Sequence, residues 1–560
     1  MTTDRCDVGQ VKRIDILPDE VLLEIFDFYM MMNIPYGEKT DVEAWQSLVH
    51  VCQRWRSLVL QSRRRLNLQL YCTPKTPARD ALDTWPALPL IVAGNMFSSG
   101  TDNIIAALGQ TNRVCKVALW GLADRQLERV LAAMQVPFPE LTDLQLWLYL
   151  NQVPVIPDSF LGGSAPRLRS FDLRRIPFPG LPKLLSSATH LVNLTLNDIP
   201  HSGYISPKAM IALLSVLSSL DSLILQFRFP QSRPDWESPS LPPLRRSILP
   251  ALTSLVYKGV TEYLEELVIG IDTPPLRFLF IMFFNQIDFD TPRLTQFINC
   301  TPTLRALDKA HVQFGDDFAV VELSALSPAP NLTIAISCRE PDWQLSSIEQ
   351  VCNTSLDTLS MVEDLYTEHR HSEAVWKNDA IENTLWLQLL LPFTAVKNLY
   401  LSKEFPPGIV AALQELVGGR IAEVLPSLQN IFVEGLEPSG PFQENIGRFV
   451  AARQLSSHPI AISDWVPPPV PHRAGLQRVS TDEDASSERT GSFVTERSDS
   501  NDEEDVENDI VAPFDHRSAP AGPSNSRTLS ATTQPGSNIG GSVDSAGGAA
   551  GAVPSAVPGP

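Results

Sequence analysis

The sequence predicts an α/β protein built as an elongated array: a short helical segment, then a long run of strand-and-return units, then a polar tail. Three observations carry this expectation. The first 60 residues place apolar side chains at helical spacing. From about residue 110 to 436 one apolar pattern recurs, with steps of 27, 27, 23, 29, 32, 24 and 28 residues from Val117 onward. From Pro467 to the end there is no Lys, Trp or Tyr.

Composition narrows the classes of function. The chain has 560 residues, 44 Lys+Arg against 64 Asp+Glu, and a formal net charge of −20. That acidity argues against nucleic acid as the main partner, because a phosphate backbone is held by surplus Lys and Arg. A hydrophobic fraction of 43% excludes disorder throughout. The seven cysteines, Cys6, Cys52, Cys72, Cys115, Cys300, Cys338 and Cys352, are scattered and contain no C-x-x-C pair. Buried thiols in a reducing compartment fit this better than a disulfide framework or a zinc site. The first 16 residues lack a signal-peptide core, and the apolar run Phe278–Phe284 falls far short of the ~20 residues that span a bilayer. The expectation is a cytoplasmic or nuclear protein with no membrane contact.

Pro18 followed by Asp19 and Glu20 suits a helix start, with the fixed φ of proline and acids at the positive end of the dipole. Val21, Leu22, Ile25, Phe26 and Tyr29 then share a broad helical face. A loop with Pro35 and Gly37 interrupts, and Thr40-Asp-Val-Glu43 reads as a capping box. It opens a second helical stretch carrying Trp45, Leu48, Val49, Cys52, Trp55 and Val59. Periodicity leaves open whether that stretch is one helix or two.

The repeated pattern is L-x-x-L-x-L, with other apolar residues allowed. Its clearest copies are Val114/Val117/Leu119, Leu141/Leu144/Leu146, Leu168/Phe171/Leu173, Leu191/Leu194/Leu196 and Leu220/Leu223/Leu225. It continues as Leu252/Leu255/Tyr257, Leu276/Leu279/Ile281, Leu304/Leu307, Leu356/Leu359/Met361, Val396/Leu399/Leu401 and Leu428/Ile431/Val433. A short strand alternates its side chains, so L-x-L puts two leucines on one face, and the return segment brings the chain back beside its own start. Pro207 to Leu217, Pro292 to Ile298 and Ile409 to Val417 read as helical returns. Spacing and form are those of leucine-rich repeats, which stack into a solenoid with one continuous core. The Asn or Cys that usually closes such a repeat is replaced by Ile176, Ile199 and Val260, which puts the usual asparagine ladder in doubt.

The stretch Leu17-Pro-Asp-Glu-Val-Leu-Leu-Glu-Ile-Phe26, followed by Trp45-Gln-Ser-Leu-Val-His-Val-Cys-Gln-Arg-Trp-Arg-Ser-Leu-Val59, closely resembles an F-box. The matched positions are Leu17, Pro18, Glu20, Val21, Leu22, Ile25 and Phe26, then Leu48, Val51, Cys52, Arg54 and Trp55. The loop Met30 to Glu43 is longer than in the compact motif, and Tyr29 and Trp45 stand where aliphatic residues are usual. Long loops of this kind are similar to those in F-box proteins of mushroom-forming fungi, which carry degenerate leucine-rich repeats. The resemblance implies a three-helix module at 14–60 that docks the Skp-type adaptor of a Skp-cullin-F-box (SCF) ubiquitin ligase. The repeats would then bind a protein substrate. It implies adaptor contacts at Leu17, Pro18, Leu22, Ile25 and Phe26 first, then at Val49, Val51 and Trp55. Some of these must instead hold the module together, and the sequence does not sort them.

The expected organisation is therefore an F-box at 14–60, a connecting segment with the first strands at 61–109, the solenoid at 110–436, a C-terminal cap at 437–466 and a disordered tail at 467–560. The tail cannot bury enough apolar surface to offset its ordering entropy. It holds fourteen acids against six arginines, twelve of the acids between Thr481 and Asp509. Ser480, Thr481 and Ser500 each precede an acid by three residues, a context for acid-directed kinases.

No phosphate-binding loop, H-E-x-x-H pair or G-x-S-x-G elbow occurs. His369 and His371 sit in a charged stretch without a third ligand nearby, and Cys52 and Cys115 have the apolar neighbours of core thiols. The expected function is a substrate receptor without a catalytic site or cofactor of its own. The alternative is a scaffold of the same repeats that binds proteins without an adaptor.

Overall fold

The structure is a computed structural model, and it describes residues 17–32, 44–96, 100–148, 154–230, 246–286, 289–305, 307–325, 330–369, 383–402, 407–416, 423–435, 441–456 and 458–466. The chain falls into two units, Met1–Arg473 and Ala474–Pro560, and every described residue belongs to the first.

Three helices open it: α1 (Asp19–Met32), α2 (Ala44–Val49) and α3 (Gln53–Gln61). The second helical stretch is thus two helices, divided at His50–Cys52. Cys52 ends up as the N-cap of α3, its sulfur accepting from the Trp55 backbone N–H at 3.5 Å. That is a capping role, which apolar neighbours in the sequence did not signal.

Sixteen strands then form one sheet among the described residues. Leu70–Cys72, Leu90–Asn95, Val114–Trp120, Asp143–Trp147, Ser170–Arg174, Asn193–Ile199, Ser222–Phe227, Ser254–Gly259 and Phe278–Phe284 lie side by side in chain order, all parallel. Val117, Leu144, Phe171, Leu194, Leu223, Leu255 and Leu279 stand opposite one another across this stretch. The alternation does what strand geometry requires: Leu144 and Leu146 are buried and Asp143, Gln145 and Trp147 are half-exposed. The buried rows join the return helices in a single apolar core.

The returns include the helices Pro207–Leu214 and Pro292–Cys300, with proline in the first turn. Ser206 caps the former by accepting from the Ala209 N–H at 3.3 Å. A further return, Pro407–Gln414, packs Ile409, Val410, Ala412 and Leu413 into the core. The chain is thus a mixed α/β protein with a long parallel-strand sheet, consistent with a leucine-rich-repeat-like solenoid.

The order breaks once. After Phe278–Phe284 the next strand in the sheet is Asn331–Ser337, then Phe318–Ser324 antiparallel to it, then Lys309–Phe314 antiparallel again. Parallel pairing resumes with Asp364–His369, Asn398–Leu401, Asn430–Glu434 and Ala461–Trp465. Two expected copies of the repeat are corrected here. Leu304 lies in a 3-10 turn, Leu307 precedes the strand, and the inward pair is Ala310/Val312. Leu356, Leu359 and Met361 belong to another 3-10 turn and its entrance, and the inward pair is Leu365/Thr367. A small alanine and a threonine at the inward positions hide the true strands, so leucines one step upstream carry the pattern instead.

A backbone ladder runs along the array. The carbonyl before each strand accepts two N–H groups from the next unit: Thr142 from Arg169 and Ser170, Arg169 from Val192 and Asn193, Val192 from Asp221 and Ser222, Asp221 from Thr253 and Ser254. The same arrangement continues after the hairpin at Asp308, Glu363 and Lys397. There a short side-chain ladder joins it, Asn430 donating to Asn398 and Asn398 to Asp364 at 2.8 and 2.7 Å. The segment expected as a cap contributes the helix Pro441–Leu455 and one more parallel strand, Ala461–Trp465.

Candidate docking surfaces

The N-terminal helices are tied together at the two sequence signatures. Arg54 donates to the Leu17 carbonyl and to the Asp19 carboxylate, both at 2.6 Å, so α3 holds the entrance to α1. Phe26 and Trp55 meet edge to face with ring centroids 4.7 Å apart. Arg56 donates to the Val49 carbonyl at 2.9 Å, and Trp45 to the Gln69 carbonyl at 2.8 Å, which anchors the helices to the first part of the array.

Exposure sorts the residues that the resemblance singled out. Leu22, Phe26 and Val49 are fully buried and build the interior of the module. Leu17 and Trp55 are half-buried, while Pro18, Ile25 and Val51 are exposed, Ile25 by 45% and Val51 by 59%. The structure adds three that were not singled out as contacts: Val21, Phe28 and Tyr29 are exposed by 42%, 66% and 38%. Val21, Ile25, Phe28 and Tyr29 follow i, i+4, i+7 and i+8, so they form one outward stripe on α1. The helix is apolar on two faces, and among the described residues one of them is covered while Val21, Ile25 and Phe28 on the other stay exposed. The sequence DEVLLEIFDFYMMM carries that signal, since it has more apolar positions than one buried stripe needs.

A second surface is the sheet face opposite the return helices. His311, Tyr366, Tyr400 and Phe432 occupy the same register position on neighbouring strands. Their rings stack in near-parallel planes, with centroids 4.3, 4.2 and 4.7 Å apart in turn. Trp465, on the last strand, leans over them, 5.3 Å from Tyr400 and 5.9 Å from Tyr366. Burial pushes the phenol of Tyr366 well above its ordinary range and raises that of Tyr400, so both stay neutral hydrogen-bonding groups.

Near the other end of the same face, Gln145 donates to Asp172 at 3.3 Å, with Arg174 two residues along. Burial raises the Asp172 carboxyl to about 6, against the pull of those neighbours. Nothing in this cluster resembles a nucleophile–base pair. Burial also raises the thiols of Cys115, Cys338 and Cys352, which makes them poor nucleophiles. No group of three or more His, Cys, Asp or Glu among the described residues is placed to hold a metal ion, and no helix there is long and apolar enough to cross a membrane. His371, Ser480, Thr481 and Ser500 lie outside the described residues.

No family model and no curated protein matches this chain. Among solved structures it is similar to the leucine-rich repeat-containing protein LegL7 from Legionella pneumophila, with 13% identity over 68% of this chain and 97% of that one, at a TM-score of 0.24.

Proposed function

We propose that the chain is the substrate-recognition subunit of an SCF-type ubiquitin ligase, α1–α3 being an F-box that docks a Skp-type adaptor and, through it, a cullin. The observation that carries the reading is the outward apolar stripe Val21, Ile25, Phe28 and Tyr29 on α1, in a module that also bears the Leu-Pro-x-Glu and Val-Cys-x-x-Trp signatures. A module this small has little stability to spare, so an uncovered apolar face on it is a face kept for a partner. Ile25 and Pro18 with Val21, Phe28 and Val51 are the adaptor contacts in this reading. Leu22, Phe26 and Val49 act by holding the helices. The repeat array then binds the protein to be ubiquitinated, and no catalytic residue is required of this chain.

The test is direct binding of the purified full chain to a Skp-type adaptor, measured by calorimetry or co-elution. Ile25→Glu combined with Phe28→Glu should lose association at least tenfold while circular dichroism and thermal melting stay as in the parent. Adaptor binding unaffected by both charges, or no binding by the parent chain, would remove the basis for the F-box reading and leave a scaffold that binds proteins without an adaptor.

A further inference from the structure

Where the strand order breaks, return segments far apart in sequence come to lie side by side. The helix Pro292–Cys300 ends beside the 3-10 turn Asp357–Met361, and Asn299 donates to the Asp357 carboxylate at 2.8 Å. At this junction lies a shallow cavity of about 340 Å³, lined by Asn299, Arg305, Asp357, Thr358 and Met361.

The lining carries one charge of each sign, and the two form no ion pair with each other. Arg305 is exposed and its Nε donates to the Asn299 carbonyl, while its two terminal nitrogens have no acceptor among the described residues. The Asp357 carboxylate is exposed as well; it accepts from Asn299 on Oδ2 and has no cation as a partner among the described residues. Thr358 is only 8% exposed, and its buried hydroxyl has no hydrogen-bond partner there either. Buried polar groups are nearly always paired, so an unpaired hydroxyl on a residue of the cavity wall is a donor that an entering ligand can satisfy. Met361, 65% exposed, supplies an adaptable apolar surface beside these groups.

We propose that this cavity binds a free α-amino acid with an apolar side chain, its carboxylate on Arg305 and the Thr358 hydroxyl, its ammonium on Asp357 and its side chain along Met361. A guanidinium holds a carboxylate through two parallel N–H donors, and the Arg305 terminal nitrogens are open for that. An ammonium brings three donors to the Asp357 carboxylate. A zwitterion satisfies both charges of the wall at once, whereas a plain carboxylate is repelled by Asp357 and a plain amine by Arg305. At about 340 Å³ the cavity stands at the small end of ligand sites, which suits an amino acid better than a nucleotide. The proposal is independent of the adaptor reading, since none of its residues lies in α1–α3.

The experiment titrates the purified full chain with leucine, methionine and glycine, and with N-acetylleucine and leucinamide, each of which lacks one of the two charges. Binding is read by saturation-transfer NMR on the ligand. Leucine and methionine should bind saturably and at least tenfold more tightly than glycine or either single-charge analogue. Arg305→Gln and Asp357→Asn should each weaken leucine binding about tenfold, and Thr358→Val should weaken it less, none of them lowering the melting temperature. No saturable binding of leucine or methionine, or binding that all three substitutions leave untouched, would overturn the proposal. N-acetylleucine binding as tightly as leucine would overturn it in favour of a protein C-terminus in the cavity, and leucinamide doing so in favour of a protein N-terminus.

Discussion

Replacing Asp172 with asparagine should make the protein more stable at neutral pH, an advantage that shrinks as the pH falls toward 4. The Asp172 carboxyl sits half-buried on the sheet face and is raised from 3.8 to about 6 by burial, with Trp147, the Gln145 amide and Arg174 only partly offsetting that. The sign follows from linkage. Between these two values the unfolded chain has released the proton while the folded one still binds it, so stability falls as pH rises through that window. Below 3.8 both states are protonated and the group contributes nothing; above about 6 the full cost is present. At about 1.36 kcal/mol per pH unit the cost is on the order of 3 kcal/mol. An asparagine fits the same space, and its oxygen still accepts from Gln145. It forgoes the attraction to Arg174, so the net gain at pH 7 should be about 1–3 kcal/mol. The assay is urea unfolding of both proteins at pH 4, 5, 6 and 7, compared by midpoint. The difference should be small at pH 4, just above the unfolded carboxyl's 3.8, and grow to its full size by pH 7. Midpoints that stay parallel across the series, or an asparagine variant less stable at pH 7, would refute the reasoning.

Two further outcomes follow from the core. Arg453 is fully buried, donates to the Leu425 carbonyl at 2.7 Å and lies 5.7 Å from the Phe449 ring centre. Arg453→Ala should therefore cost about 3 kcal/mol in denaturant melts, from an orphaned carbonyl plus a cavity, and Arg453→Met distinctly less because the volume is kept. Cys300 is exposed whereas Cys72, Cys338 and Cys352 are buried. A thiol reagent followed by peptide mass mapping should label Cys300 in the native protein and the other three only after denaturant is added.

Much of the array is legible in the sequence. Wherever the inward positions of a strand are large and apolar, as at Leu144/Leu146 or Leu194/Leu196, the pattern locates the strand and its register. It failed where the inward residues are Ala310 and Thr367, because size and polarity no longer mark the face. The antiparallel pair Phe318–Ser324 and Asn331–Ser337 was missed for a related reason: FAVVELS and NLTIAIS are β-branched runs without the leucine spacing, and their place in the sheet is set by pairing alone. The aromatic stripe was lost with the same register. His311, Tyr366, Tyr400 and Phe432 hold equivalent positions only once the strands at 309 and 364 are placed correctly. On α1 the difficulty was of another kind. Both the buried and the exposed faces are apolar, so composition shows that there is too much hydrophobicity and only packing shows which side is left over.

The reordered hairpin bears on how the protein is made. In a plain repeat array each new strand can dock on the one before it as it leaves the ribosome, and contacts stay local in sequence. Here Phe278–Phe284, with the sequence FLFIMFF, must wait for Asn331–Ser337, because the strand that follows it in the chain, Lys309–Phe314, lies three places away in the sheet with two strands between. Until then the most apolar strand of the sheet ends a growing chain with its edge bare, which makes it the point in synthesis where a chaperone would act and where aggregation would begin.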